Sequence, residues 1–280
     1  SFGTIGGAAT RNLALVNDDG SVNPFSPAPN AAVNAILALS DGRFVVGGAF
    51  TTISGATRNR VARYSAAGLL DATFDPNAGG AVNALAVQAD GKVLIGGAFT
   101  TLGGQARANL GRLNADGTLD PSFAPSVAGA VSGIAVQADG RILITAAGSG
   151  VRNIVSRLNA DGTVDAGFTP VNGGSAAITG IALQTDGRIL VSGGFATIGG
   201  AAVARLARLN ANGGVDRTFN PAPNGDVTAL ALQSDGRLVF GGGFTTVGGL
   251  PRVGLARVAA TGLAAQPLAV AADRSTVLWT

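Results

Sequence analysis

The chain has 280 residues, 19 basic and 16 acidic side chains, a net charge of +3, and 46% hydrophobic residues. It contains no His, Cys or Met, its acidic residues are all Asp, and Lys92 is its one lysine. That composition excludes a Ser-His-Asp triad, a Cys-His pair, histidine or thiolate metal sites and disulfides. The high apolar content argues against disorder, and the absence of an Arg-rich segment argues against nucleic acid as a partner. No apolar run reaches the ~18–20 residues of a membrane-spanning helix. Gly (44 residues) and Val are abundant while Glu and Met are missing, a balance that favours strands and turns over helices.

In chain order, the first element is half of something. Phe2-Gly3-Thr4-Ile5-Gly6-Gly7, Arg11-Asn12-Leu13, Asp19-Gly20 and Phe25-Ser26-Pro27 match the later part of a unit that then recurs in full. The recurrence is marked by Asp-Gly-basic turns at Asp41, Asp90, Asp139, Asp186 and Asp235, spaced 49, 49, 47 and 49 residues apart. In the second full copy, Ala84–Gln88 is a short apolar run of strand length. Ala89-Asp90-Gly91 is a tight turn, because Asp and Gly tolerate the backbone a hairpin needs. Val93–Gly97 is the returning strand, Phe99–Gly104 a Gly-bounded loop with one large anchor, and Leu110–Asn114 a third strand. Asp116-Gly117 turns the chain again, and Leu119–Phe123 reads as a short fourth strand ending at Pro125. The third copy departs from the pattern: Ala146-Ala147-Gly148-Ser149-Gly150 replaces the Phe-Thr-Thr loop, which predicts a shorter loop there.

Four short strands in about 49 residues are the blade of a β-propeller. Near-continuous apolar strands fit blades packed on both faces, and Gly-Gly pairs within strands mark close backbone approach. Phe50, Phe99, Phe195 and Phe244 are expected between blades, with Phe74, Phe123, Phe168 and Phe219 as a second buried set. At the other end, Leu268–Asp273 resembles a first strand with its turn, and Val277–Trp279 a second strand. Half, five and half make six. The fold expected is all-β: a six-bladed β-propeller of four-stranded blades whose closing blade is shared by the two ends. Residues 1–27 form the second half of that blade. Full blades occupy 28–76, 77–125, 126–170, 171–221 and 222–262, and 263–280 form the first half. Strand Val277–Trp279 would then pair near Asn12–Val16. The alternative is that 263–280 begin a further domain. The start at Ser1, without an initiator Met, suggests a removed leader or a segment of a longer protein.

The run from Asp90 (Asp-Gly-Lys-Val-Leu-Ile-Gly-Gly-Ala-Phe-Thr-Thr), the run from Gly111 (Gly-Arg-Leu-Asn-Ala-Asp-Gly-Thr-Leu-Asp) and the Phe-x-Pro ending resemble the delta-60 repeat family of bacterial β-propellers. The resemblance extends from Phe2 to about Val258. It implies a secreted or cell-surface bacterial protein and supplies no catalytic residues.

Three constellations merit a functional reading beside a structural one. Asn114, Asp116 and Asp120, and likewise Asn159, Asp161 and Asp165, place three oxygen-bearing side chains around a Gly turn, as a calcium loop does. The structural reading is an Asp-Gly turn whose side chains cap backbone groups, and the copies at Ser65–Gly68 and Asn212-Gly213 lack the acidic groups. Arginine recurs at Arg63, Arg112, Arg157, Arg208 and Arg257, and at Arg58, Arg107, Arg152 and Arg252, with Arg11 in the split blade. A ring of these could hold an anionic polymer. Because Asp71, Asp120, Asp165 and Asp216 recur in step, inter-blade ion pairs and Arg-to-carbonyl bonds are the stronger reading. Trp279 and Tyr64 are the only Trp and Tyr that could stack on a sugar.

The function expected is a non-catalytic extracellular scaffold, for adhesion or protein interaction. The alternatives are a structural subunit of a surface filament or coat, self-assembling from similar blades, and a calcium- or glycan-binding propeller. No catalytic residue, no resident cofactor and no transmembrane segment are assigned. The partner expected is a protein or a surface polymer.

Overall fold

A computed structural model describes residues 3–5, 8–9, 12–17, 19–148, 151–174, 176–259, 268–270 and 277–279. For 8–9, 148, 151–153, 268–270 and 277–279 it describes the backbone alone. Among the described residues every regular element is a strand. Two compact units are formed, residues 1–136 with 160–163, and residues 137–159 with 164–280.

In the first unit, Val33–Ala38, Phe44–Gly48 and Val61–Tyr64 form one antiparallel meander, and Val82–Val87, Val93–Gly97 and Leu110–Leu113 form the next. Each Asp-Gly-basic turn closes the first hairpin as the residue types require. Asp41 Oδ1 accepts the Arg43 N–H at 3.0 Å, and Asp90 Oδ1 accepts that of Lys92 at 3.1 Å. The loop expected at Phe99–Gly104 contains a minor hairpin, Thr101–Leu102 with Gln105–Ala106, matched by Thr52–Ile53 with Ala56–Thr57. The chain re-enters the sheet through a left-handed residue, Arg60 (φ 68°) or Asn109 (φ 66°). That conformation aims its N–H back at the carbonyl of Phe50 or Phe99, at 2.8 and 2.9 Å.

The fourth strand expected at Leu119–Phe123 is not a strand. It is a single bridge, Leu113↔Leu119, repeated at Tyr64↔Leu70, Leu158↔Val164, Leu209↔Val215 and Val16↔Val22. The cause is local. Asp120 Oδ1 accepts both the backbone N–H (3.0 Å) and the hydroxyl (2.6 Å) of Ser122, which bends the chain into a turn before pairing can extend.

In the second unit, Ile178–Leu183, Ile189–Gly193 and Leu206–Leu209 form one meander, and Val227–Leu232, Arg237–Gly242 and Leu255–Ala259 another. The third repeat differs, as its sequence does. Ile142–Gly148 and Val151–Leu158 run on into one long hairpin with no minor hairpin of its own, and Val171–Asn172 pairs with Ile154 and Val155. Ser149 and Gly150 lie outside the described residues. Without the minor hairpin Val164 is 67% exposed, whereas in the second and fourth repeats Gly103 and Gly199 lie over Leu119 and Val215. The backbone of Leu268–Val270 pairs with Val277–Trp279 in a two-stranded sheet.

The second and third strands of the second repeat, Val93–Gly97 and Leu110–Leu113, are buried along their whole length, while the first strand Val33–Ala38 alternates between half-buried and exposed residues. Both Phe sets are buried: Phe50, Phe99, Phe195 and Phe244, and Phe74, Phe123, Phe168 and Phe219. Each contributes roughly 1.5–3 kcal/mol. The Gly positions in the second strand do let repeats approach closely. A Cβ on Gly96 would lie 2.5 Å from Val131 Cγ1 and 2.9 Å from Ile134 Cδ1, and one on Gly47 would lie 2.5 Å from Val82 Cγ1.

Candidate functional site

The recurring polar side chains converge on the seam between one repeat and the next. Arg63 leaves the middle of its strand, places its guanidinium 4.3 Å above the Phe74 ring and binds Asp71 Oδ2 through Nε (2.9 Å) and Nη2 (2.7 Å). Its remaining Nη1 donates to the Ala115 carbonyl of the following repeat at 2.6 Å. Gly117, two residues on, lies against Phe74, so close that a Cβ there would sit 2.5 Å from the ring. Its φ of +97° is a second reason for glycine. The same lock recurs with Arg112, Asp120, Phe123 and the Ala160 carbonyl, and with Arg157, Asp165, Phe168 and the Ala211 carbonyl. Arg208 stacks on Phe219 and pairs with Asp216. The expected inter-blade ion pairs are therefore corrected in one respect. Each of these Arg–Asp pairs lies within a repeat, because residues eight apart face each other across the third-strand turn, and the Arg-to-carbonyl bond is what crosses to the next repeat; an ion pair that does cross is made by other residues, Arg205 Nε with Asp226 Oδ1 at 3.4 Å.

These arginines are buried, and their donors are directed at protein acceptors. The second arginine set is likewise tied to backbone. Arg58 Nη2 donates to the Ala72 carbonyl at 3.0 Å and Arg107 Nη2 to the Pro121 carbonyl at 3.1 Å. Arg11 and the Arg152 side chain lie outside what is described.

The carboxylates proposed for calcium face their own turns. Asp116 Oδ1 accepts the N–H and hydroxyl of Thr118, and Asp161 Oδ1 those of Thr163. Asn114 donates to the Thr118 hydroxyl at 3.0 Å. Asp120 Oδ2 receives Arg112 Nε (3.0 Å) and Lys92 Nζ (2.9 Å). Asp165 receives the Gly167 N–H on one oxygen and Arg157 on the other, with Arg141 Nε at 3.3 Å. Asn159 completes the sequence pattern without bringing a carboxylate. Among the described residues no three acidic side chains come together as a metal would require. The hydrogen bonds hold these carboxyls below their usual range. The Thr73 hydroxyl, then Arg63, lowers Asp71 to about 2. The Ser122 hydroxyl and then Lys92 hold Asp120 further down, and the Gly167 N–H and then Arg157 lower Asp165.

Tyr64 is fully buried, stacked on Phe44 at 5.1 Å and hydrogen-bonded to Ser54 at 2.9 Å, so it offers no face to a sugar. The Trp279 side chain is not described. The exposed Asp-Gly-basic turns at Asp41, Asp139, Asp186 and Asp235 are self-neutralised pairs, such as Asp41–Arg43 at 2.6 Å, whereas in the second repeat Lys92 turns instead to Asp120. A cleft of about 280 Å³ in the first unit lies among Leu39, Asp41, Arg43, Arg63, Gln88 and Ala115.

One set of seam residues is not evident from sequence reasoning. The first strands slip register between Val33 and Ala35, Val82 and Ala84, and Ile178 and Gly180. The residue at the bulge donates to a Val carbonyl of the next repeat: Asn34 to Val82 (3.2 Å), Asn83 to Val131 (3.4 Å) and Thr179 to Val227 (2.8 Å). The signal available was a polar residue in an otherwise apolar run, at one fixed place in each copy.

Repeated antiparallel meanders locked side by side through such seams define a β-propeller. The chain belongs to the family described as Domain of unknown function (DUF5122) beta-propeller. That family matches residues 39–74, 88–123, 137–168, 184–219 and 233–263, which together make up more than half of the sequence and bear out the delta-60 resemblance. Solved structures agree on the fold. The WD40 beta propeller domain of Doa1 gives a TM-score of 0.59 at 15% identity, covering 85% of this chain and 68% of that one. Virginiamycin B lyase from Staphylococcus aureus gives 0.59 at 16% identity, covering 95% and 76%. A protein of unknown function from Bacteroides caccae gives 0.57 at 16% identity, covering 89% and 86%. No curated protein sequence matches the chain.

Proposed function

We propose that this chain is a non-catalytic protein-interaction scaffold, displayed outside a bacterial cell, with six blades of which the sixth is shared by the two ends. The observation that carries the reading is the seam. The recurring Arg, Asp, Asn and Thr side chains bind the protein's own carbonyls, carboxylates and rings. The positions that vary from repeat to repeat are the turns and minor hairpins at the rims. In the fifth repeat Leu250 and Pro251 stand where the second has Gln105 and Ala106, and Val253 stands where it has Ala108. Leu250 and Val253 are exposed. Such rims are the part of a propeller available to a partner.

Similarity to a lyase does not oppose this. A histidine-to-alanine variant of virginiamycin B lyase is catalytically inactive, and the present chain has no histidine at all.

The test uses the native cells. Protease added to intact cells should digest the chain, and a chemical cross-linker should join it to one protein that is lost when Leu250→Gln and Val253→Ala are introduced together. Digestion only after lysis overturns the extracellular reading. A cross-linked profile identical in wild type and rim variant overturns the rim as the interaction surface.

A further inference from the structure

The geometry points to a binding site for a small carboxylate in the cleft beside Arg63, separate from the rim partner proposed above. The first repeat departs from the others at one position of this seam. Two residues before the Asp-Gly-basic turn, the second to fifth copies have Gln88, Gln137, Gln184 and Gln233, and the first has Leu39. The backbone is the same in both forms: the Leu39 N–H donates to the Arg43 carbonyl at 2.8 Å, as that of Gln88 donates to Lys92 at 2.9 Å. The side chains act differently. Gln88 Oε1 accepts from Arg112 Nη1 at 3.3 Å, and the same nitrogen donates to the Ala160 carbonyl at 2.7 Å, so both of its hydrogens are used. Leu39 offers no oxygen to Arg63. Arg63 Nη1 donates to the Ala115 carbonyl at 2.6 Å, and among the described residues its second hydrogen meets no acceptor. Arg63 is 5% exposed, and it lines the cleft of about 280 Å³ together with Leu39 and Ala115. The acceptor that Gln88 supplies to Arg112 must here come from what enters the cleft.

The rest of the wall sets the chemistry of the ligand. Arg43 lines the cleft too. Its Nε and Nη2 are held by Asp41 Oδ2 at 2.7 and 2.6 Å, which leaves Nη1 as a second donor. The charged residues of the wall are Arg43, Arg63 and Asp41, a balance of +1 that one carboxylate neutralises. Leu39, Val87 and Val93 make much of the remaining wall apolar, and Val87 is 36% exposed. The volume lies just below the ~300 Å³ at which ligand pockets begin, which suits a short chain of about four to six carbons. The ligand is therefore an aliphatic monocarboxylate, either free or as the C-terminal residue of a peptide. Its binding leaves the lock of Arg63 with Asp71 and Phe74 in place, because it uses a hydrogen that the lock does not.

Calorimetric titration of the full chain with 3-methylbutanoate at pH 7 should show one saturable site with a dissociation constant of about 1 mM. The neutral 3-methylbutanamide should bind about tenfold more weakly or worse. N-acetyl-leucine, titrated beside the free acid, assigns the source: the tighter of the two is the form the site takes. Leu39→Gln installs the residue of the sister repeats, supplies Arg63 with its acceptor from within and should abolish binding at an unchanged melting temperature. Leu39→Met, of similar volume and without an oxygen, should retain binding. Arg43→Gln, at a part-exposed guanidinium, should weaken binding about fivefold or more and keeps the test open if Leu39→Gln does not fold. Equal affinity for acid and amide overturns the carboxylate. Equal loss in Leu39→Met and Leu39→Gln overturns the part given to the missing oxygen. No saturable binding of either acid, or binding unchanged by Leu39→Gln or by Arg43→Gln, overturns the site.

Discussion

The pairing of small residues at the seams makes a quantitative prediction. In three repeats the residues opposed across the first and second strands are Ala and Gly: Ala35↔Gly47, Ala84↔Gly96 and Ala229↔Gly241. In the fourth the order is reversed, Gly180↔Ser192. Each pair therefore carries one Cβ on the first strand or one on the second, never both. A Cβ added at Gly180 would lie 2.6 Å from Ser192 Oγ and 3.2 Å from Leu230 Cγ and Cδ2. Ser192 is fully buried, so its hydroxyl can turn away only against packed neighbours. Gly180→Ala should cost about 1–3 kcal/mol from overpacking, offset by about 0.4–1 kcal/mol from the stiffer unfolded chain. Adding Ser192→Gly restores the Ala–Gly arrangement of the other repeats. The double variant should therefore be more stable than the sum of the single changes by about 1–2 kcal/mol, within the range seen for residues in contact. Urea denaturation of the four proteins at pH 7 closes the cycle. A coupling energy below about 0.5 kcal/mol, the scatter expected of independent sites, would refute complementary packing at this seam.

Asp120→Ala leaves Arg112 buried without its carboxylate and should cost about 3–5 kcal/mol, whereas Asp41→Ala, at an exposed pair, should cost about 1 kcal/mol or less; thermal melts separate the two. Asp71 is held at about 2 in the folded chain, below the unfolded value near 3.9. Its contribution is therefore fully present above pH ~4 and is lost as pH falls through about 2. Melting temperature should be flat from neutral pH to about 4 and fall below that, with a shallower fall for Asp71→Asn. Calcium or a chelator at millimolar concentration should leave the melting temperature of the wild type unchanged, because Asp116, Asp120, Asp161 and Asp165 already bind their own turns; a stabilisation by calcium that disappears in Asp116→Asn would restore the metal reading.

What could be read in the sequence was whatever one residue type signals alone. Asp-Gly at a hairpin is a backbone requirement, so the turn at Asp90 and the return strand Val93–Gly97 fall where the sequence places them. The two Phe sets were legible because a large apolar side chain repeated at fixed intervals has nowhere to go but between packed repeats. The bridge at Leu119 was misread as a strand because pairing there is decided by Asp120, whose side chain competes with the sheet for the Ser122 N–H. The arginine seam was legible as a periodicity but not as a direction. Spacing puts Arg112 and Asp120 in step, and only the folded turn shows that they meet within one repeat while the Ala160 carbonyl comes from the next. Left-handed Arg60 and Arg205 gave no signal, because arginine is not a residue that declares positive φ; Asn109 and Gly254 at the same place did.

The seams also constrain where function can reside. A side chain that repeats in every copy and is buried against the protein's own backbone cannot discriminate among partners, since altering it for a ligand would break a lock of several kcal/mol. Arg63, Arg112 and Arg157 are of this kind. Discrimination needs positions that differ between copies and reach solvent: Val164, uncovered by the missing minor hairpin of the third repeat; Leu69, where the second repeat has Thr118; and Leu250 and Val253 in the fifth. These residues belong to rims rather than seams, and each is apolar where a sister repeat is polar or covered. A chain selected for the packing of its repeats alone would gain nothing from exposing them. Substituting them to the residues of the second repeat should therefore leave melting temperature within about 2 °C, as surface changes of ±0.5 kcal/mol do. A larger loss of stability would assign them to the fold and remove them from any account of recognition.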